Sequence, residues 1–361
     1  MKSVRSNRGR TPVKKDHVAR ELRQQILSGK LQPGDRVPTR TDLEEAFQTS
    51  TATVQSALDD LVRDGFVRVE GRRGTFVTQD LPFLTRYGFV FPRDPATTAE
   101  WPRFFTAIAN EVLRANMTSG IQLPIYAGVN NPKSDGYREL EHDVLTRRLA
   151  GLVFVSESAM LTHKPLIEEA GLPVVRIADI PGLPAPWIML DGEAYIDKAL
   201  DYFLQKGKRR VAVLALHDWI VERGEYLRTA LAKRGMETRS YWTQGFHYTL
   251  TASTRNCTEL LLRSRTLDPF DALLISDDNI VSAAAEGIAA AGDGAAQGLE
   301  VIAHCNFPPT DAVAMPIKRL GFDVRRIVAE CVRSIDQQRD GGDYAQCIRI
   351  PPMFDHELPR N

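Results

Sequence analysis

A regular alternation of short apolar runs and amphipathic helical patterns extends from about residue 87 to residue 306, and it constrains the fold more than any other feature of the sequence. The apolar runs that predict strands are YGFVFP, IQLPIYAGV, GLVFVS, PVVRIAD, WIMLD, RVAVLALH, TRSYWTQG, DALLIS and LEVIAHCN. The helical patterns between them cover residues 102–117, 135–149, 161–170, 193–206, 223–234, 252–264 and 279–291. Strands that alternate with helices in this way form parallel sheets covered by helices. Because the series starts again with the helix at 193–206, we expect two α/β lobes and a ligand cleft between the carboxyl ends of their strands.

The length, the composition and the first residues set the class of protein. A chain of 361 residues predicts two or three domains. Its hydrophobic content of 43% and charged content of 25% are typical of globular proteins, and the sequence contains no run of about 18 apolar residues that would span a membrane. No apolar segment of a secretory signal follows the basic first ten residues, so we expect a soluble cytoplasmic protein without a membrane partner.

The formal net charge of zero hides an asymmetry along the chain. Residues 1–80 hold 15 Lys and Arg against 11 Asp and Glu, whereas residues 81–361 hold 31 against 35. Residues 1–40 alone carry 11 basic and 3 acidic side chains. A local basic field of this kind attracts the phosphates of nucleic acids. We expect residues 1–11 to be a flexible basic tail, so the ordered residues that follow must indicate DNA binding by their own pattern.

Three short helices and a hairpin are predicted in residues 12–78. Apolar residues at three- to four-residue spacing predict a first helix that ends at Gly29. Thr39, with Asp42 in the capping-box position, predicts the start of a second helix, and Ser50 is a good N-cap for a third. The apolar stripe of this third helix is Val54, Ala57, Leu58 and Leu61. Two β-rich runs, FVRVE and GTFVT, flank a basic turn, so the whole pattern predicts a helix-turn-helix followed by a wing.

The segments ILSGKLQPGDRVPTRTDLEEAF and STATVQSALDDLVRDGFVRVEGRRGTFV resemble the DNA-binding domain of GntR-type transcription regulators. The L-x-P-G-x-x-x-P turn, the T-V-x-x-A-L third helix and the G-x-G-T-F-V wing occur in the family's order and spacing. The resemblance implies a winged helix-turn-helix domain over residues 12–78, with double-stranded operator DNA as its partner. Arginines are common in the family at the positions of Thr41, Thr51 and Gln55, so a guanine preference does not carry over.

The polar face of the third helix is where a recognition helix meets base edges. Gln55 can pair with adenine through both amide atoms, and the threonines can hydrogen-bond or pack against a thymine methyl. The base-reading candidates are Thr51, Thr53, Gln55 and Ser56, with Ala52 on the same face. The candidates for phosphate contacts are Arg40, Arg72, Arg73, Lys14 and Lys15. Asp59 and Asp60 are expected to point away from DNA, and the alternative for the whole face is a polar surface open to solvent.

Residues 79–86 are predicted to form a short connector, and residues 87–358 resemble the effector-binding domain of LacI/GalR-type repressors, which looks like a periplasmic sugar-binding protein. The segments that carry the resemblance are GFV, LAGLV, GLPVV, LQKGKRRVA and MPIKRLG, in the family's order. A GntR-type winged helix joined to such a domain is similar to arabinose-type repressors. This combination implies a homodimeric repressor controlled by a small ligand such as a sugar or a related polyol.

By position, the resemblance places two ligand contacts in the second lobe. Arg223, before the helix LRTALAKRG, falls on the family's clamping arginine, and Asp278, after the DALLIS strand, falls on its aspartate. Opposed across a cleft, the two would bind vicinal hydroxyls, whereas the alternative is a surface salt bridge. Cys305 and Asn306 stand where the family usually has an aspartate, so the ligand can also be a modified sugar, another polyol or a nucleoside. Tryptophans and other aromatic residues stack on sugars but are as often part of the core. The remaining candidates are Arg93, Asp94, Trp101, Phe104, Asp191, Trp219, Phe246 and Asn306.

The sequence lacks the motifs of common enzymes and metal sites. It contains no C-x-x-C, H-E-x-x-H, G-x-x-x-x-G-K-[ST] or G-x-S-x-G, and the glycines of Gly292–Gly298 follow a helix, which is the reverse of a dinucleotide-binding turn. His217 and Asp218 are expected on an extended strand end, where neighbouring side chains point apart. We therefore expect no enzyme activity, no metal, no cofactor and four reduced cysteines. The alternative function is a sugar-binding or sugar-processing protein with a nonspecific basic DNA anchor.

Overall fold

The computed structural model describes residues 14–79, 81–98, 101–155, 171–177, 185–292, 294–309, 317–341 and 343–359. The predicted tail at residues 1–11 and the predicted helix at 161–170 lie outside these ranges. Within them, no helix is long and apolar enough to cross a membrane. The described chain forms an amino-terminal unit of three helices and a hairpin, which we call the head, followed by two α/β lobes.

The head, residues 14–79, contains the predicted helices and hairpin. Its elements are α1 (Lys14–Leu27), α2 (Arg40–Phe47), α3 (Thr51–Arg63), β1 (Val67–Val69) and the antiparallel β2 (Thr75–Val77). The Thr39 side chain accepts from the Asp42 backbone N–H and the Asp42 carboxylate accepts from the Thr39 N–H, so the predicted capping box starts α2. Apolar residues of the three helices and both strands form one buried cluster. That cluster holds α3 with its polar face outward.

Lobe 1 is built on a six-stranded parallel sheet, sheet 1. Its strands in spatial order are β13 (Cys347–Ile350), β7 (Trp187–Leu190), β6 (Val174–Ile177), β5 (Gly151–Phe154), β3 (Tyr87–Val90) and β4 (Ile125–Tyr126). Its helices are α5 (Arg103–Thr118), α6 (Asp135–Leu145) and α11 (Val324–Arg339), and the short α4 (Pro82–Thr85) connects the head to β3. Several central strands are buried on both faces, which explains their continuous apolar runs.

Lobe 2 is built on a second six-stranded sheet, sheet 2. Its strands in spatial order are β14 (Met353–Phe354), β12 (Lys318–Asp323), β11 (Glu300–Phe307), β10 (Ala272–Ile275), β8 (Val211–Leu216) and β9 (Thr243–Phe246). All neighbouring pairs are parallel except β12 and β14. Its helices are α7 (Gly192–Gln205), α8 (His217–Lys233), α9 (Thr251–Ser264) and α10 (Asp278–Ala291).

Within the described ranges the chain crosses between the lobes three times. It leaves sheet 1 at Asp191, returns to it at Asp323, and leaves again between Ile350 and Met353. The Asp191 N–H donates to the Ile350 carbonyl over 3.0 Å, so the first and third crossings run side by side. Neither α11 nor β13 was predicted, and together they complete lobe 1 with residues from the far end of the sequence.

Two predicted elements of lobe 2 differ in the structure. Helix α8 begins at His217 instead of residue 223, so His217 and Asp218 lie in its first turn rather than on an extended strand. An acid in the first turn interacts favourably with the helix dipole. The predicted strand TRSYWTQG contains a 3-10 turn at Ser240–Trp242, because the Trp242 ring turns into the core against Phe270, with ring centroids 5.8 Å apart.

Candidate DNA-binding surface and interlobe cleft

The outer face of α3 presents the predicted base-reading side chains. Ser50 fixes the start of the helix: its Oγ accepts from the Thr53 N–H over 3.3 Å and lies 2.9 Å from Thr53 Oγ1. The side chains that are exposed or half-buried on this face are Thr51, Ala52, Thr53, Gln55 and Ser56. The polar face that the sequence predicted to meet base edges is therefore accessible on the surface of the head.

Gln55 is held by an acid on the same face. Its Nε2 donates to Asp59 Oδ1 over 2.7 Å, and its Oε1 is enclosed without a hydrogen-bond partner among the described residues. Asp59 lies on the same side of α3 as Gln55, because residues four apart in a helix are neighbours. Since bidentate pairing with adenine uses both amide atoms, Asp59 must release Nε2 before Gln55 can read a base in this way.

The basic side chains near this face differ in how free they are. Arg40, at the first position of α2, and Arg72, in the wing turn, are exposed. Arg73 is 78% exposed but pairs with Glu70 at 2.8 Å. Lys15 pairs with Asp60 at 2.8 Å and therefore ties α1 to α3. Lys14 opens α1, and its side chain lies outside the described part of the structure.

The head contacts lobe 1 through Asp64, which ends α3. Asp64 is 1% exposed and accepts from Arg23 Nη2 of α1 over 2.7 Å. His142 Nε2, on α6 of lobe 1, lies 3.5 Å from its Oδ1. Burial lowers the pKa of Arg23, whereas Asp64 opposes that shift. The Arg23 guanidinium also lies 5.2 Å from the centre of the Phe66 ring, which stacks on Phe83 of α4, so the recognition helix, the connector and lobe 1 meet at one point.

The residue after His142 anchors the first strand of lobe 1. The buried Asp143 carboxylate accepts from Arg86 Nη2 over 2.9 Å, from Arg148 Nη1 over 2.7 Å and from the Tyr126 hydroxyl over 2.5 Å. Burial and the adjacent Asp143 raise the pKa of Tyr126, so its hydroxyl stays protonated as a donor. The last turn of α6 thus holds both the head and the start of β3.

Two arginines of lobe 1 reach across the cleft to lobe 2. Arg93, which follows β3, donates from Nη1 to the Tyr248 hydroxyl over 3.4 Å. Arg103, the first residue of α5, donates from its backbone N–H to Asn279 Oδ1 over 2.8 Å and from Nη2 to Ser282 Oγ over 3.1 Å. Of these five residues only Arg93 was predicted. The others lie in the first two turns of a helix or follow a strand at the same sheet edges, which is the signal that could have found them.

The half-buried Asp278 and the buried Asn306 form a polar pair at the carboxyl ends of β10 and β11. Asn306 is 4% exposed, and its Nδ2 donates to Asp278 Oδ2 over 2.6 Å. Burial raises the pKa of Asp278, while His304 and Arg103 act in the opposite direction. An ionised carboxylate that is shielded from water destabilises the folded state unless a ligand forms hydrogen bonds with it.

Arg223 lies in the second turn of α8 and not at the predicted start of the helix, because α8 begins at His217. It packs on the first turn of α7: a Cβ on Gly192 would lie 2.6 Å from Arg223 Nε. Asp191, the N-cap of α7, accepts from the Ala194 N–H over 3.1 Å and lies 3.8 Å from Arg349 Nη1. Arg223 and Asp191 therefore meet at the β7–α7 crossing.

The predicted side chains of lobe 1 are engaged in local packing. Trp101 is half-buried, with its ring 5.5 Å from Phe91 and 5.3 Å from Phe105. Phe104 is also half-buried and packs against the core. Asp94 Oδ1 accepts from the Ala96 N–H over 2.8 Å and so shapes the turn after β3.

In lobe 2 the two candidate aromatic side chains belong to regular secondary structure. Trp219 lies in the first turn of α8, half-buried against the core. Phe246 is the last residue of β9 and is only 8% exposed, because it belongs to the core cluster of lobe 2. No group of three or more His, Cys, Asp or Glu side chains suited to a metal occurs in the described ranges.

Comparison with known proteins identifies the two parts separately. Residues 14–77 match the family described as bacterial regulatory proteins, gntR family. Over 214 residues, 54% of each chain, the sequence is 25% identical to an arabinose metabolism transcriptional repressor of Geobacillus stearothermophilus. The match thus spans about half the length of this curated relative.

Among solved structures, the chain resembles a LacI family transcriptional regulator from Arthrobacter sp. FB24 in complex with lactose. The TM-score is 0.56 at 14% identity, over 75% of this chain and 97% of that one. A transcriptional regulator CelR–cellobiose complex gives a TM-score of 0.55 at 20% identity, over 85% of this chain and 90% of that one. The two lobes therefore have the fold of LacI-type regulators.

Proposed function

We propose that this chain, which joins a gntR-family winged helix to two lobes with the fold of LacI-type regulators, is a transcriptional repressor controlled by a small sugar-like ligand. The observation that carries the proposal is that Asp64, at the end of α3, lies against lobe 1 with its Oδ1 3.5 Å from His142 Nε2, while lobe 1 also forms one wall of the cleft. A change in the cleft thus has a physical route to the DNA-reading helix.

The ligand is proposed to bind between the lobes, at the edge where Asp278 and Asn306 lie. A carboxylate and an amide side by side suit the hydroxyls of a sugar, a polyol or a nucleoside. The arabinose repressor and the lactose- and cellobiose-bound regulators support the sugar class. Arg93 and Arg103 close the cleft from lobe 1, and Arg223 and Asp191 stabilise the crossing beside it.

The proposed mechanism is a shift between two cleft states. A ligand changes DNA affinity only if it binds one state more tightly than the other, and DNA then changes ligand affinity by the same factor. The Arg103 contacts to Asn279 and Ser282 are candidates for the bonds that differ between the states. The short helix α4 leaves little slack between lobe 1 and the head.

DNA would be read by the outer face of α3 and held by the wing and α2. Gln55, Thr51, Thr53 and Ser56 are proposed to contact bases, and Arg40, Arg72, Arg73 and Lys14 to contact phosphates. A homodimer would place two recognition helices on half-sites separated by about one helical turn or a multiple of it. Cytoplasmic location and the absence of enzyme activity are part of this proposal.

The second candidate is a sugar-binding or sugar-processing protein whose basic head binds DNA without sequence preference. The 11 basic side chains among residues 1–40 favour nonspecific binding to some degree. The two candidates differ in whether one sequence is bound far more tightly than bulk DNA at a fixed salt concentration.

Selection of bound duplexes from a random pool, followed by anisotropy titrations of the selected duplex, tests the proposal. We expect a preference of about 10³-fold or more over unrelated DNA, and a change in that affinity on addition of arabinose, glucose, lactose or cellobiose. Affinity that is blind to sequence and follows salt alone would contradict the regulator and favour the second candidate.

A further inference from the structure

Three polar side chains at the carboxyl ends of β10 and β11 have buried atoms without partners among the described residues, and we propose that they contact the ligand directly. We call Ser276, His304 and Asn306 the cleft floor. This inference rests on the proposed function, and it adds Ser276 and His304 to the site and narrows the ligand to a neutral compound with two adjacent free hydroxyls.

The strand register brings the cleft floor together. Ile275 of β10 pairs with Ala303 of β11, so Ser276 and His304 are the next pair along the two strands. The Ser276 N–H donates to the Leu214 carbonyl over 2.9 Å, which continues the strand geometry to this residue. Since side chains alternate along a strand, Ser276, His304 and Asn306 share one face of sheet 2.

One polar atom of each cleft-floor side chain is enclosed but makes no hydrogen bond to the described residues. Ser276 is 5% exposed and Asn306 is 4% exposed. Ser276 Oγ, His304 Nδ1 and Asn306 Oδ1 have no hydrogen-bond partner in the part of the chain that the structure describes. Buried polar atoms in folded proteins are nearly always partnered, and leaving one unpartnered costs its full desolvation. Three such atoms on neighbouring strand ends indicate a site completed by another molecule.

A rigid aromatic setting surrounds the cleft floor. The Tyr195 hydroxyl of α7 donates to the Ile275 carbonyl over 3.4 Å, and its ring centroid lies 5.6 Å from that of His304. The Phe322 ring lies 5.8 Å from His304 on the β12 side. Because these rings are packed in the core, small movements of the backbone cannot easily bring new partners to the three atoms.

The hydrogen-bonding directions define the ligand chemistry. Asn306 Nδ2 gives one of its two hydrogens to Asp278, so Asn306 presents its Oδ1 acceptor and one remaining N–H, and the Asp278 carboxylate beside it is a second acceptor. Two adjacent acceptors require two donors on the ligand, whereas a phosphate or carboxylate in this place would be repelled. Ser276 Oγ and His304 Nδ1 can donate or accept. A neutral ligand with neighbouring hydroxyls meets all these requirements.

Calorimetry on the full chain tests the inference with Ser276→Ala and His304→Phe. Ser334→Ala is the matched control, because Ser334 Oγ is equally enclosed and unpartnered but lies in α11 of lobe 1. Without sugar, we expect all three variants to melt at or above the wild-type temperature, since each removes a buried polar atom that has no partner. A lower melting temperature for the two floor variants would overturn the inference, because it would mean that these atoms are partnered in the free protein.

Titration with arabinose, glucose, lactose and cellobiose gives the second readout. We expect at least one of these sugars to bind the wild-type chain and the Ser334→Ala control with equal affinity. The same sugar should bind the two floor variants at least tenfold more weakly. A deoxy analogue of that sugar should bind the wild-type chain more weakly than the sugar itself. Wild-type binding that survives both floor substitutions would overturn this inference alone. Failure of every probe on the wild-type chain would contradict the ligand part of the proposed function and this inference together.

Discussion

His142 on α6 places its Nε2 3.5 Å from the Oδ1 of Asp64, the residue that ends the recognition helix. The other end of α6 lies against the loop after β4, where a Cβ on Gly136 would be 2.0 Å from the Ala127 carbonyl oxygen. With 11 residues, α6 is about 16 Å long. It therefore bridges the carboxyl end of sheet 1 and the head, with close packing at one end and an acid–imidazole contact at the other.

Replacing Asp64 by Asn should destabilise the head strongly. Arg23, whose side chain is 12% exposed, would lose the acid that compensates its buried charge. Removing one partner of a buried pair costs about 3–5 kcal/mol, measurable by urea denaturation of the full chain. Asp60→Asn is the control, since its pair with Lys15 is more exposed and should contribute less than about 1 kcal/mol. Equal effects of the two substitutions would contradict the conclusion that Asp64 compensates the buried charge of Arg23.

Replacing His142 by Gln should leave operator affinity within about twofold but weaken the response to ligand. The substitution removes the contact from α6 to Asp64 while Arg23 still pairs with that acid. We expect the coupling free energy between ligand and DNA to fall by about 0.5–2 kcal/mol. Anisotropy titrations with and without sugar give this quantity. Arg138→Gln, on an exposed face of the same helix, should not change it, and an unaltered coupling in His142→Gln would show that α6 does not transmit the signal.

Replacing Gln55 by Ala should relax sequence preference at one base pair by about 1–3 kcal/mol. The lost specificity should be partly offset, because in the wild-type chain Gln55 must first break its hydrogen bond to Asp59 before it can contact a base. Arg72→Ala should instead weaken binding to all duplexes alike. It should also reduce the slope of log affinity against log salt concentration by about the contribution of one phosphate contact. Competition binding with duplexes substituted at each position measures both effects. If the two variants change specificity equally, the division into base and phosphate contacts is wrong.

Replacing Asp278 by Asn should stabilise the ligand-free protein at neutral pH. Burial raises the pKa of Asp278 above that of the unfolded chain, so stability from this group is present at low pH and is lost as pH rises through the folded pKa. We therefore expect a gain in stability at pH 7 that disappears below the unfolded pKa. Thermal melts across pH measure it.

Asp277→Asn is the control for that series. Asp277 caps α10 by accepting from the Asn279 N–H over 2.9 Å, and Asn caps nearly as well, so little change is expected at any pH. A gain of equal size in both variants would contradict the assignment to Asp278.

The head could be predicted almost completely because its signals are local. The Thr39–Asp42 capping box and the Ser50 cap are set by neighbours in sequence, and the apolar stripe of α3 fixes which face is outward. The contact of Gln55 with Asp59 follows from helical spacing and could have been found in the same way.

The alternation of strands and helices in the lobes could be predicted, but the way in which these elements pair and pack could not. Nothing local shows that β13 pairs with β7, since register between distant strands depends on tertiary packing. The start of α8 was missed because Leu216, at its N-cap, makes no side-chain capping bond. The contacts of Arg103 with Asn279 and Ser282 join residues that are more than 170 apart in sequence.

The position of β13 has a consequence for synthesis on the ribosome. The buried core of the head lies within residues 18–81, whereas sheet 1 gains its last strand only when residues 347–350 have emerged. At about 5–20 residues per second, the interval between the two is roughly 15–50 s. During this interval each new chain has a complete head but an incomplete lobe 1, and β7 is an open edge that can pair with a strand of another chain. Nascent chains are therefore most exposed to edge-to-edge aggregation before residues 347–350 emerge.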